Sequence, residues 1–266
     1  MTSVPPEKHR RVMKKLQERE DRFVKQQLLL RRISDDYETL EEVWDRSTLM
    51  TLYRIIRRGA VGRVHGTVAS GKEARVYAAE DPQGTPLAVK IYLVSTAAFK
   101  RGRMKYLMGD PRFRSVGKKT RNIVYAWTSK EFKNLTLAHR NGVRVPKPIY
   151  STENVLVMEF VGEDFVSAPT LKELNRSSKT FYRQILSQVR RLYRKAGLVH
   201  SDLSEFNIFY YGGKPVLFDF AQAVVRDHPL AEEFLSRDIS NITRFYERRG
   251  IEVWDREKTI SWITGR

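Results

Sequence analysis

The sequence predicts an α+β chain in two lobes, a β-rich one followed by a reduced helical one, with extra helical sequence ahead of both. Three observations carry that expectation. Between 61 and 93, apolar runs alternate with turn residues at strand spacing. From Ser178 onward, apolar residues recur at helical spacing. Between these regions a strand-like run, Met158-Glu159-Phe160-Val161, breaks at Gly162 and reads as a hinge. The expected divisions are a basic N-terminal segment and scaffold helix over 1–60, a first lobe over 61–160 with a long basic loop at about 99–127, and a second lobe over 161–266.

At 266 residues and 41% apolar content the chain can bury a full core. It has no cysteine, which excludes disulfides and thiolate metal sites. No apolar run approaches a membrane span, and the opening MTSVPPEKHRR lacks the hydrophobic stretch of a signal peptide, so a cytoplasmic protein with no membrane partner is expected. The formal net charge of +18 points to a polyanionic partner, nucleic acid before membrane.

Residues 1–32 are polar and basic, and Val12, Leu16 and Phe23 recur at loosely helical spacing; an amphipathic helix and a disordered tail both fit. Asp45-Arg-Ser-Thr48 opens a firmer helix with Leu49, Leu52, Tyr53 and Ile56 on one face and Gly59 as its stop. Strands follow at Val61–Val68, Ala74–Ala79 and Pro86–Tyr92. Gly66 to Lys72 matches G-x-x-x-x-G-K, but Glu73 stands where a metal-binding hydroxyl belongs and a strand follows, which excludes a P-loop. What remains is a turn whose backbone N–H groups, Ser70 hydroxyl and Lys72 ammonium suit a triphosphate. Lys90 lies within Leu87-Ala-Val-Lys-Ile91, either snorkelling from an edge or gripping phosphate.

Between Lys100 and Arg121 there are nine basic residues and one acidic one, with aromatics interleaved; a solvated loop and an RNA-contacting one are both open. Thr128-x-x-Glu131 reads as a capping box opening a helix that runs to Asn141-Gly142, while Glu131 facing inward to pair with Lys90 is the alternative. Ile149–Tyr150 and Val155–Phe160 form a hairpin. Ser178 to Ala196 is strongly helical and Gly197 ends it; another helix begins at Pro229, and a terminal one lies within 251–266.

The chemistry concentrates in His200-Ser-Asp-Leu-Ser-Glu-Phe-Asn207 and the hairpin after it. Two apolar runs, Asn207–Tyr211 and Pro215–Phe218, are joined by Gly212-Gly213, a hairpin-turn pair. The hairpin returns Asp219 beside Asp202 and Asn207. Two carboxylates and an amide brought together suit a divalent metal and phosphoryl transfer.

In order, these parts are a phosphate turn, a strand lysine, a helix glutamate, a hinge, Asp-x4-Asn, a hairpin and a final Asp. The set resembles a protein kinase, and more closely the RIO family of atypical serine/threonine kinases. Ser70-Gly-Lys-Glu-Ala-Arg-Val-Tyr77 stands in place of a glycine-rich loop, His200–Asn207 as catalytic loop, and Asp219-Phe-Ala221 in place of Asp-Phe-Gly. The long loop before Trp127-Thr-Ser-Lys-Glu131 resembles the first RIO subgroup; the winged helix of the second is not readable in 1–60.

The resemblance implies a two-lobed protein-kinase-like fold, with ATP and Mg²⁺ (or Mn²⁺ in its place) as cofactors. Asp202 would act on the accepting hydroxyl, and Asn207 and Asp219 would hold the metal. Lys90 would bind phosphate oxygens, positioned by Glu131. Ser70 and Lys72 would contact the outer phosphates, main chain at Glu159 and Val161 would hold adenine, and Met158 would belong to the same nucleotide site. It further implies kinase activity, ATP hydrolysis through an aspartyl-phosphate on Asp219, and a part in small ribosomal subunit maturation with pre-ribosomal RNA as partner. The alternative is a nucleotide-gated RNA-binding factor whose ATP site acts as a switch. The sequence has no Ala-Pro-Glu segment after Asp219, so it gives a peptide acceptor no docking element and leaves the acceptor open.

Overall fold

The computed structural model describes residues 45–94, 103–107, 109–113, 117, 119–174 and 178–266. The expected N-terminal amphipathic helix and part of the basic loop lie outside them. The chain divides into a unit ending at Met50 and a compact unit, Thr51–Arg266. In the first, Asp45 caps the opening turn of helix α1 (Arg46–Arg57), accepting from Thr48 N–H at 2.9 Å and its hydroxyl at 2.6 Å.

In the second unit, α1 buries Leu52, Tyr53 and Ile55. Ile55, not Ile56, completes the inward face. Glu153, at the turn of the next hairpin but one, accepts from the Thr51 hydroxyl at 2.7 Å and pairs with Arg54 at 2.5 Å.

Strands β1 (Arg63–Ser70), β2 (Ala74–Glu80), β3 (Pro86–Tyr92), β4 (Pro148–Thr152) and β5 (Val155–Glu159) form an antiparallel sheet in the order β1-β2-β3-β5-β4. Val, Ile and Ala dominate β3, and every residue of it after Pro86 is buried, as expected for a central strand. Lys90 therefore sits mid-sheet, opposite Val76 and Leu156. It is no edge lysine. β1 carries two register irregularities before the turn, which Gly71 closes by donating to the Ala74 carbonyl at 3.0 Å.

Helix α2 runs from Thr120 to Arg140, so it begins two turns earlier than the capping-box reading places it. The Thr128 hydroxyl donates to the Val124 carbonyl at 3.0 Å, an i−4 bond available only inside a helix. The stretch expected as a loop over 99–127 thus holds the first eight residues of α2. It also holds a short helical segment at 103–107, whose Tyr106 and Leu107 enter the core.

The second lobe is built on α3 (Lys179–Arg194), α4 (Ala231–Glu247) and α5 (Arg256–Thr264). Ser178 caps α3 by accepting from Phe181 N–H at 3.1 Å, and Asp255 caps α5 from Lys258 N–H at 3.0 Å. Ile185, Leu186, Val189 and Leu192 of α3 meet Phe234, Ile239 and Ile242 of α4 in one core. After β6 (Gly162–Glu163) and β7 (Val166–Ser167), the short strand β8 (Leu198–Val199) leads into the stretch His200–Asn207; β9 (Ile208–Tyr211) and β10 (Lys214–Leu217) form the hairpin, and β11 (Val224–Val225) pairs back onto β8. Gly212 and Gly213 both take left-handed φ values, 57° and 72°, which a two-residue hairpin turn of this kind demands. Among the described residues no helix is long and apolar enough to cross a membrane.

Candidate active site

The hairpin ladder continues to its open end, where Phe218 N–H donates to the Asn207 carbonyl at 3.1 Å. That bond delivers Asp219 to the loop carrying Asp202 and Asn207. Asp219 takes a left-handed φ of 61°, which an aspartate tolerates better than most residues. Asn207 Nδ2 donates to the Asp202 carbonyl at 2.8 Å, which turns the amide oxygen the other way.

Lys90 joins the two lobes at this point. Its Nζ lies 2.9 Å from Glu131 Oε1 and 2.9 Å from Asp219 Oδ1. The inward reading of Glu131 holds, since the residue is 1% exposed in the middle of α2. The Tyr92 hydroxyl donates to its second oxygen, Oε2. Burial works against the Lys90 ammonium, but the carboxylates of Asp219 and Glu131 outweigh it and keep the lysine protonated above its ordinary range. Burial raises Glu131, with Lys90 acting against it. Burial also opposes ionisation of Asp219, yet Lys90 prevails and holds it below the ordinary carboxylate range.

Asp202 behaves differently. Burial, helped by the charge of Asp219, pushes it up to about 6. Gln222 Nε2 donates to its Oδ2 at 2.8 Å. The loop is held from below by Asp238 of α4, whose carboxylate accepts from Ser201 N–H at 2.8 Å and Leu203 N–H at 3.0 Å. His200 is neutral, because burial lowers it to about 4, and its Nε2–H donates to the Phe218 carbonyl at 2.9 Å.

A cavity of about 380 Å³ opens above these groups, lined by Lys72, Lys90, Glu131, Met158, Asp219 and Gln222 among others. Of the expected nucleotide residues, Ser70 is exposed at the end of β1, between the lining residues Ala69 and Gly71. Glu159 and Val161 lie beyond the lining residues; the Glu159 side chain accepts from Lys147 N–H at 3.0 Å. Gln222, Asp238 and Tyr92 had no part in the sequence-based set. Neither did Arg103, which pairs with Glu73 in the turn between β1 and β2 and lies over the Trp127 ring at 5.3 Å. Each belongs by tertiary contact alone.

An antiparallel five-stranded lobe with a strand lysine bridged to a helix carboxylate, set against a helical lobe with Asp-x4-Asn and a final Asp, defines a protein-kinase-like nucleotide site. Comparison with known proteins specifies it. A family model described as the RIO domain matches residues 75–259. The Rio1 RIO-type serine/threonine-protein kinase of Haloferax volcanii is 41% identical over 233 residues, covering 87% of this chain and 79% of its own. The human serine/threonine-protein kinase RIO1 is 39% identical, covering 88% of this chain but only 42% of its own length. Among solved structures, the Rio2 kinase–ADP/Mg²⁺–phosphoaspartate complex from Chaetomium thermophilum superposes with a TM-score of 0.62 at 25% identity, covering 81% of this chain and 66% of that one. The chain belongs to the RIO family of serine/threonine kinases, in its Rio1 branch.

Proposed function

We propose that this chain transfers the γ-phosphoryl group of ATP, acting as an atypical serine/threonine kinase and as an ATPase, with Mg²⁺ as cofactor. The observation that carries the reading is Lys90, placed 2.9 Å from both Glu131 and Asp219 at the floor of the cavity. A fixed, fully charged ammonium there would orient phosphate oxygens and offset the charge that develops on them. Glu131 fixes that ammonium; Lys72 reaches the same cavity from the turn above. Asp202, with a pKa of about 6, is mostly ionised at neutral pH and suited to accept the proton of an attacking hydroxyl or water.

The donor set fits Mg²⁺. Asp219 offers a carboxylate and Asn207 an amide oxygen, both hard ligands, and such sites draw their remaining ligands from phosphate and water. When bound, Mg²⁺ would neutralise charge on the phosphate oxygens. A second role for Asp219 follows from its ionised state. Its oxygen would attack the γ-phosphorus, the bond to the ADP oxygen would break, and water deprotonated by Asp202 would later release phosphate. The related Rio2 kinase, solved as an ADP/Mg²⁺–phosphoaspartate complex, supports this reading.

The net charge of +18 supports a polyanionic partner, and we assign that partner to RNA of the pre-ribosomal small subunit, in the cytoplasm. The test of the enzymatic reading is phosphate transfer from labelled ATP by the wild type and by Asp202→Ala. ATP binding retained, with transfer to a hydroxyl and phosphate release lost, is the expected result; unchanged turnover in the variant overturns it.

A further inference from the structure

Three of the four residues after Asp219 turn their carbonyls inward. Phe220, Ala221 and Ala223 are at most 4% exposed, so those oxygens need donors from protein. No strand supplies them. Within the turn, Ala223 N–H reaches Phe220 O at 3.2 Å; the other donors come from one face of α2, from Lys130 and Asn134, four residues apart and both fully buried. Asn134 Nδ2 donates to Phe220 O at 3.0 Å and to Ala223 O at 2.8 Å. Lys130 Nζ donates to Ala221 O at 3.2 Å and also to Ala223 O.

The asparagine cannot flip. Its Oδ1 accepts from Arg112 Nη2 at 2.8 Å, which leaves the amide nitrogen facing the carbonyls. Arg112 is itself held by a two-pronged bond to Asp110, Nε to Oδ1 at 2.9 Å and Nη2 to Oδ2 at 2.6 Å. Asp110 is 1% exposed, and its charge also favours the ammonium of Lys130 against the burial that lowers it. The segment bearing these two residues is anchored on its other side too. His228 Nε2–H donates to the Lys105 carbonyl at 3.1 Å, while its Nδ1 accepts from Leu230 N–H at 3.1 Å. A side chain at Gly109 would meet the His228 ring at 2.2 Å, so the two stretches are in close contact.

We propose that Lys130 and Asn134 are positioning residues that hold Asp219 in place for metal and phosphate, and that the segment carrying Asp110 and Arg112 anchors them. The inference rests on the role proposed above for Asp219. Because α2 also carries Glu131, the same helix sets both partners of Lys90: one directly, the other through the carbonyls that follow it. Residues 219–223 belong to no helix or strand that would hold the turn by itself. The segment inserted before α2 supplies the brace from behind.

The test is metal binding, measured by the electron paramagnetic resonance signal of free Mn²⁺ with a non-hydrolysable ATP analogue present, on the full chain. Asn134→Leu and Lys130→Met are expected to raise the Mn²⁺ Kd at least fivefold and to lower kcat at least tenfold. The Kd of the analogue without metal should stay within twofold. Arg112→Lys keeps the charge but loses the planar fork, and is expected to raise the Mn²⁺ Kd by a smaller factor of two to five. Should the buried substitutions prevent folding, Arg112→Lys decides the matter. A lowered melting temperature with Mn²⁺ Kd and kcat within twofold of wild type overturns the inference, since the residues would then be core polar groups only. A wild type that binds the analogue but no Mn²⁺ overturns the reading of Asp219 as a ligand, a separate and recognisable failure.

Discussion

Asp238 brackets Asp202 from the residues on either side of it. Its two carboxylate oxygens take the N–H groups of Ser201, at 2.8 Å, and Leu203, at 3.0 Å. Ser201 adopts a left-handed φ of 68°, which costs a serine about 1–2 kcal/mol and has to be held by its surroundings. The position of Asp202 is thus set by a residue 36 places later that reads, in sequence, as an ordinary polar residue of a helix. Asp238→Asn can accept only one of the two N–H groups and turns a donor toward the other. The expected loss is about 1–3 kcal/mol of stability in urea unfolding. Phosphotransfer should fall with ATP affinity retained, because the cavity wall is untouched; equal losses in both would show that Asp238 serves the whole lobe.

Burial places Asp238 at about 7 and Asp202 at about 6, against an ordinary 3.8. Both folded values exceed the unfolded one, so the folded chain binds more protons than the unfolded chain between these limits. Stability from these two groups is therefore fully present below about 3.8 and is lost as pH rises to 6 for Asp202 and to 7 for Asp238. Activity should run the other way, since Asp202 works as a base when ionised. For transfer to a hydroxyl, the step that uses this base directly, kcat/KM against pH is expected to fall tenfold per unit below about 6. Asp202→Asn should flatten the melting temperature between pH 4 and 6; an unchanged slope would show that other groups dominate.

Lys90 is the cation between two carboxylates, and its side chain is only 10% exposed. Lys90→Met leaves Glu131 buried and uncompensated, for an expected loss of about 3–5 kcal/mol. Adding Glu131→Gln removes the stranded charge. The double variant should therefore be more stable than Lys90→Met alone, although neither turns over ATP. Denaturant melts of the two single variants and the double one check this, and strictly additive losses would mean that the pair is not coupled.

Much of this was readable in the residues because it is local. β3 spans Pro86–Tyr92 as expected, α3 starts at its Ser178 cap, and Gly212-Gly213 makes the turn that returns Asp219 to Asn207. Such features depend on neighbours in sequence. The start of α2 was misplaced for the same reason: Thr128-x-x-Glu131 satisfies the local pattern of a cap, but tertiary packing of Ile123, Val124 and Trp127 carries the helix back to Thr120. Lys130 looks like a solvated lysine beside Glu131, yet it is as buried as its neighbour. Its partners, the carbonyls of Ala221 and Ala223, have no residue identity to read. Backbone acceptors leave no trace in sequence.

Asp219 yields the most direct prediction. If it accepts the phosphoryl group, wild-type chain incubated with [γ-³²P]ATP and Mg²⁺ carries an acyl phosphate, labile to hydroxylamine and stable only briefly at neutral pH. Asp219→Asn should carry none. Asp202→Asn separates the two steps, because attack by an ionised carboxylate needs no base whereas release by water does. In that variant label should accumulate on Asp219 while phosphate release falls by about 10²–10⁴. Label found only on a hydroxyl, resistant to hydroxylamine, would assign direct transfer to serine or threonine, with Asp219 as a ligand and no more.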